Sequence, residues 1–181
     1  MKVINFVAGP GMGKSTTAAG LFYKMKVHGH NVELINEYAK ELVLDERFST
    51  LKDQGYILAK QNRKLERLKN KFDYVITDSP LFLGLCYVSE DYHKSFKPFV
   101  MDMYHSYDNM NFYLHNDGDL TYQESGRTQT KEQATEKDNE VYSFIKKNGI
   151  NVVPIKIKAG DENIATNHIN DIYNTIFTKE I

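Results

Sequence analysis

Residues 8–16 read Ala-Gly-Pro-Gly-Met-Gly-Lys-Ser-Thr. Glycines at alternate positions let a backbone turn tightly and bring its N–H groups close to an anion without Cβ clashes. A lysine and two hydroxyls follow directly. Amides and a helix N-terminus would face phosphate oxygens. Lys14 would add a mobile cation near the β and γ phosphates, and the Ser15 hydroxyl is placed to ligate Mg²⁺. Thr16 either touches an α-phosphate or caps the helix. The pattern is GxxxxGK[ST], with Ala8 in place of the first glycine. It points to ATP with Mg²⁺, and it sets Gly9, Gly11, Met12, Gly13, Lys14, Ser15 and Thr16 at the nucleotide.

Later residues carry chemistry suited to such a ligand. Asp78 closes the apolar run VITDSP. At the carboxyl edge of a parallel sheet it would hold Mg²⁺, directly or through water, or accept a proton from an acceptor hydroxyl; the plainer role is a turn before Ser79-Pro80. Glu37, in LINEYAKEL, closes another apolar run. The same edge rule places it near an acceptor, where it would orient or deprotonate a hydroxyl; otherwise it is a helix N-terminal glutamate favoured by the dipole. Tyr38 stands beside it as an acceptor contact. Arg127 follows Gly126 in a polar stretch, where an arginine would neutralise charge on a transferring phosphoryl group. Gln61 offers an amide to a base edge and Arg63 a cation to a phosphate, or both belong to an ordinary basic helix face.

The intervening segments must position these groups. Lys2–Val7 is short, apolar and β-branched, as a buried parallel strand requires. Helical spacing covers Lys14–His28, with Gly29 as a stop. Strands are expected at 31–36, 72–77, 110–115 and 151–156, and helices at 37–45, 51–69, 96–107, 131–147 and 165–177. The alternation predicts right-handed βαβ crossovers and a parallel sheet covered on both faces. Residues 116–130 read as a polar loop or lid inserted in one domain spanning 1–181.

Composition narrows the function classes. The chain has 181 residues, within the usual range of one domain, ~100–200 residues. Its net charge of −1 argues against a general nucleic-acid coat, though not against a local basic channel. The single cysteine, Cys86, excludes an internal disulfide and, between Leu85 and Tyr87, reads as apolar packing. The six histidines show no zinc-ligand spacing with a cysteine. No apolar run reaches the ~18 residues of a membrane helix, and no signal-peptide pattern opens the chain, so a cytoplasmic protein without a membrane partner is expected.

Taken together, GPGMGKST, NEYAKELV, Gln61-x-Arg63, VITDSPLFLGL and ESGRTQT resemble a phage-associated family of small P-loop ATPase and kinase domains. That family is similar to the domain that phosphorylates nicotinamide riboside and, more distantly, to deoxynucleoside and nucleoside-monophosphate kinases. The resemblance implies a three-layer α/β sandwich with a five-stranded parallel sheet of order 2-3-1-4-5 and a lid. It implies ATP·Mg²⁺ as donor, with Lys14 and Ser15 serving phosphate and metal. Glu37 matches the strand-two base of deoxynucleoside kinases, Asp78 the acidic residue after strand three, and Arg127 the lid arginine. Those kinases carry Glu-Arg-Ser after strand three, where this chain has Asp78-Ser79-Pro80. Some phage members act on 5-hydroxymethyluracil within DNA, so the acceptor is either such a base or a free nucleoside or nucleotide. A partner-stimulated ATPase is the competing class; it would normally place a second acidic residue beside Asp78, where Ser79 stands.

Lys14→Ala is expected to cut turnover by at least ~10²-fold through lost stabilisation of phosphate charge. Steady-state phosphotransfer assays at saturating ATP measure this, and a wild-type rate would overturn the cradle assignment.

Overall fold

The strand Lys2–Val7 (β1) is central because it is buried on both faces: Val3 and Val7 point to one side of the sheet, Ile4 and Phe6 to the other. The computed structural model describes residues 1–89, 91–116, 129–157 and 162–178. Four further strands, Val32–Ile35 (β2), Tyr74–Thr77 (β3), Asp108–Asn116 (β4) and Val153–Ile157 (β5), join β1 in one parallel sheet of order β2-β3-β1-β4-β5. The register sets Asn5 against both Thr77 and Asn111, so the ends of β1 and β3 reach the same edge, where ligands bind in open α/β sheets.

Helices cover both faces. Lys14–Val27 (α1) and Glu162–Phe177 (α7) pack on one side, where Ala18, Leu21, Met25, Ile172 and Ile176 meet Ile4, Phe6, Ile76 and Phe112. On the other side lie Gln54–Glu66 (α4), Phe96–His105 (α5) and Lys131–Lys147 (α6). Two short helices, Tyr38–Leu44 (α2) and Phe48–Leu51 (α3), lead from β2 into α4.

The expected helix over 51–69 is divided. The Asp53 carboxylate accepts from the Tyr56 N–H at 2.9 Å and caps a new helix at Gln54. After Pro80, where the sequence pattern marks no element, the chain forms a 3₁₀ turn over Leu81–Cys86, because Leu81, Phe82, Leu83 and Leu85 are drawn into the core against α4, α5 and α6. Strand β4 begins two residues before the expected 110, and α7 begins three before the expected 165. A polar ladder lies inside this face: Asn5 Nδ2 donates to Asn109 Oδ1 at 2.9 Å and Asn111 Oδ1 at 3.0 Å, and Asn111 Nδ2 donates to the Tyr104 hydroxyl at 2.8 Å. Mutual satisfaction makes these buried amides tolerable in an otherwise apolar layer.

Phe82 is the pivot of that layer. It is fully buried, edge-on to Tyr104 at 5.1 Å and stacked with Phe144 at 6.1 Å. Phe82→Ala should destabilise the fold by ~3–5 kcal/mol. Urea unfolding measures this, and a loss below ~1 kcal/mol would remove Phe82 from the core.

Candidate active site

The loop 8–13 connects β1 to α1 at the carboxyl edge of the sheet. Gly11 and Gly13 have φ of 81° and 77°, left-handed values that a side chain would strain. Gly13 is the N-cap of α1, and the first turn, Lys14-Ser15-Thr16-Thr17, carries no acidic residue to compete with an anion. No acid of the helix itself therefore offsets the positive end of the α1 dipole, which favours an anion. Lys14 Nζ folds over the loop and donates to the carbonyls of Ala8 at 3.0 Å and Gly9 at 2.8 Å. The ammonium group thus lies at the loop backbone. Ser15 and Thr16 are exposed on the turn, and Met12 is half-buried.

Asp78 joins the cradle to the start of α2. Its side chain is 4% exposed, and both oxygens are bonded. Oδ2 accepts from the Ser15 hydroxyl at 2.5 Å, and Oδ1 accepts from the Glu37 N–H at 3.1 Å. One carboxylate therefore brings together three residues that lie far apart in the sequence. A hydroxyl and a carboxylate in contact form an oxygen donor set suited to Mg²⁺, which is held by one or two carboxylates together with substrate phosphates. Among the described residues no group of three or more His, Cys, Asp and Glu forms a separate metal site.

Glu37 is half-buried and is the N-cap of α2. Gln61 occupies a position different from the one expected. It is 3% exposed, and its amide is committed to the chain: Oε1 accepts from the Tyr38 N–H at 3.3 Å, while Nε2 donates to Thr77 Oγ1 at 3.3 Å and the Ser79 carbonyl at 3.4 Å. Gln61 therefore fixes the start of α2 and the turn after β3 rather than presenting its amide to a base. It also borders a small cavity with Ser79, Pro80, Leu81, Phe96 and Val100.

Arg63 diverges from Gln61 as well. Two residues on a helix are separated by about 200° at 3.6 residues per turn. Arg63 accordingly faces a groove of about 330 Å³ between α4 and α5, beside Asn62, Glu66, Phe99 and Met103. The structure does not bring it to Asp78. Lys64 does share the Gln61 side, donating to the Asn36 carbonyl at 3.0 Å and pairing with Glu41 at 2.6 Å. Tyr38 packs against Tyr56, with hydroxyls 3.3 Å apart and Lys60 near both rings. That hydrogen bond raises the Tyr38 phenol above its ordinary range and lowers that of Tyr56.

Arg127, most of the 116–130 insert and residues 158–161 lie outside the described residues. Cys86 is a packing residue whose thiol is pushed up to about 11, chiefly by burial, which leaves little nucleophilic thiolate. His168 is buried against α1, with Nε2 3.1 Å from Thr17 Oγ1, and burial lowers its pKa.

Sequence reasoning missed Asp138. It lies on α6, is 8% exposed, and accepts from the Gly9 N–H at 2.6 Å and the Tyr113 hydroxyl at 2.9 Å. The signal was present: Ala134, Asp138, Val141 and Ile145 form the buried stripe of α6, and Asp138 is its one charged member.

Residues 3–162 match the model of the AAA domain family AAA_28. The chain belongs to this family. No curated protein sequence matches it. Among solved structures, thymidylate kinase from Ehrlichia chaffeensis is similar at a TM-score of 0.63 and 18% identity, over 98% of this chain and 97% of that one. Deoxyadenosine kinase from M. mycoides, solved with dCMP and dCDP, is similar at a TM-score of 0.60 and 20% identity, over 98% of this chain and all of that one. NadR in complex with NAD and AMP-PNP gives a TM-score of 0.66 at 14% identity, over 96% of this chain but 49% of that one. At these identities the similarity is one of fold: this AAA_28 domain has the P-loop kinase architecture.

The Ser15–Asp78 contact makes a specific demand. Asp78→Asn keeps an oxygen for the Glu37 N–H but removes the charge beside Ser15. Turnover should fall by on the order of 10²-fold, with more Mg²⁺ needed for half-maximal rate. Magnesium titration of the initial rate tests this, and unchanged metal dependence would separate Asp78 from the metal.

Proposed function

We propose that this AAA_28 domain is an ATP-dependent kinase that transfers the γ-phosphoryl group to a hydroxyl of a nucleoside-like acceptor. The observation that carries the reading is Asp78, bonded at once to the Ser15 hydroxyl of the cradle and to the backbone of Glu37. This contact supports the reading because it would hold the donor and acceptor ends of a phosphotransfer site one carboxylate apart. Ser15 and Asp78 would hold Mg²⁺, which supplies charge neutralisation at the β and γ phosphates. Loop amides and Lys14 orient the phosphate chain. Glu37 takes the acceptor proton as the hydroxyl oxygen attacks the γ-phosphorus and the bond to the β-γ bridging oxygen breaks. Arg127 is assigned to the transferring group by its position in the motif ESGRTQT.

For the acceptor, the motif resemblance favours the 5-hydroxymethyl group of 5-hydroxymethyluracil in DNA. A free nucleoside or nucleoside monophosphate is the second reading. It is supported by whole-chain similarity to thymidylate and deoxyadenosine kinases, enzymes whose size this chain matches.

Transfer of label from γ-labelled ATP to hydroxymethyluracil DNA, thymidine, dTMP and nicotinamide riboside separates the readings. Label in the DNA is expected. Label in the small molecules alone would reject the DNA base in favour of a free acceptor, and ATP hydrolysis with no labelled acceptor would favour the ATPase class.

A further inference from the structure

The phosphate cradle is fastened on the side away from Asp78 by a residue with no part in the transfer chemistry. Asp138 projects from the buried stripe of α6 onto the backbone of the loop, where its Oδ1 accepts from the Gly9 N–H at 2.6 Å. Its second oxygen accepts from the Tyr113 hydroxyl of β4 at 2.9 Å. The approach is close enough that a Cβ at Gly9 would lie 2.6 Å from the Asp138 Cβ and 2.8 Å from its backbone N and Cα. Backbone meets backbone there, and neither side can yield by turning a side chain. Gly9 is thus required by α6 and not by its own torsions; the left-handed glycines of the loop are Gly11 and Gly13.

A charged residue on the apolar stripe of a helix is costly unless donors satisfy it. Asp138 has one from the loop and one from the sheet, so its place on α6 is explained by the loop it holds. The loop carbonyls of Ala8 and Gly9 in turn receive Lys14 Nζ. The Gly9 peptide therefore links Asp138 on one side to the cradle lysine on the other. Tyr113 is held as the neutral phenol, its pKa pushed up by burial and then by the Asp138 charge, so it remains a donor.

We infer that Asp138 is a positioning residue for nucleotide binding: by fixing the Gly9 peptide against α6 it sets the conformation in which loop amides and Lys14 meet the ATP phosphates. The inference rests on the kinase reading above only in taking ATP as the ligand.

Calorimetric titration of Mg·ATP into wild type, Asp138→Asn and Asp138→Leu tests it, with thermal unfolding and circular dichroism as controls for folding. Asparagine keeps an acceptor for Gly9 and a polar partner for Tyr113; leucine fills similar space and offers neither. The leucine variant should bind Mg·ATP about tenfold or more weakly, as a lost buried partner implies, while the asparagine variant stays within about threefold of wild type. The Gly9 amide should also exchange with deuterium faster in the leucine variant alone. If leucine disrupts folding, Asp138→Ser, too short to reach Gly9, takes its place. Folded variants that lack the Gly9 partner yet bind with wild-type affinity would overturn the inference. So would an asparagine variant as weak as leucine, since charge and not the bond would then be the determinant. Absence of binding by the wild type would instead sink the ATP reading itself.

Discussion

A carboxylate taken out of water must be given donors, and this fold supplies two to each of the carboxylates that bracket its phosphate loop. Asp78 is met by the Ser15 hydroxyl and the Glu37 N–H, and Asp138 by the Gly9 N–H and the Tyr113 hydroxyl. The loop between them is rich in glycine and would otherwise sample many conformations, because glycine loses more backbone freedom on ordering than any other residue. Binding phosphate with backbone amides depends on those amides being aimed in advance. Two buried carboxylates, one from the sheet edge and one from a helix, provide that aim through the hydrogen bonds they accept.

The same arrangement accounts for the start of α2, where the proposed acceptor would lie. Asp78 and Gln61 receive consecutive backbone N–H groups at the start of α2, those of Glu37 and Tyr38. The amides that open a helix have no internal partners, and these two side chains each satisfy one of them. The effect on the site is geometric: the backbone at Glu37 cannot shift without disturbing Asp78, and Asp78 cannot shift without disturbing Ser15. Gln61 is bound to Thr77 and Ser79 as well, which ties α4 to the end of β3. The candidate chemistry thus rests on helix-start amides and not on flexible loops.

Much of this was legible in local patterns. The parallel sheet and its alternation with helices follow from short β-branched runs spaced by amphipathic segments, and the observed order β2-β3-β1-β4-β5 is the one that the motif resemblance implies. The division of 51–69 at Asp53 and the 3₁₀ turn at 81–86 were not, because capping and burial outweighed the propensities of those stretches. Gln61 and Arg63 looked alike as polar helix residues; only the 200° between them sends one into the core and the other to a surface groove.

What the sequence determined alone is the phosphate loop. Its glycines, lysine and hydroxyls act through backbone torsion and adjacency, which are properties of nine consecutive residues. What only the tertiary structure decided is who holds that loop. Asp78 lies 63 residues from Ser15, and Asp138 lies 129 residues from Gly9. No local rule pairs such positions. They meet because a parallel sheet brings successive strand ends to one edge and lays α6 across the loop, and a buried charge then fits wherever that packing leaves two donors pointing inward.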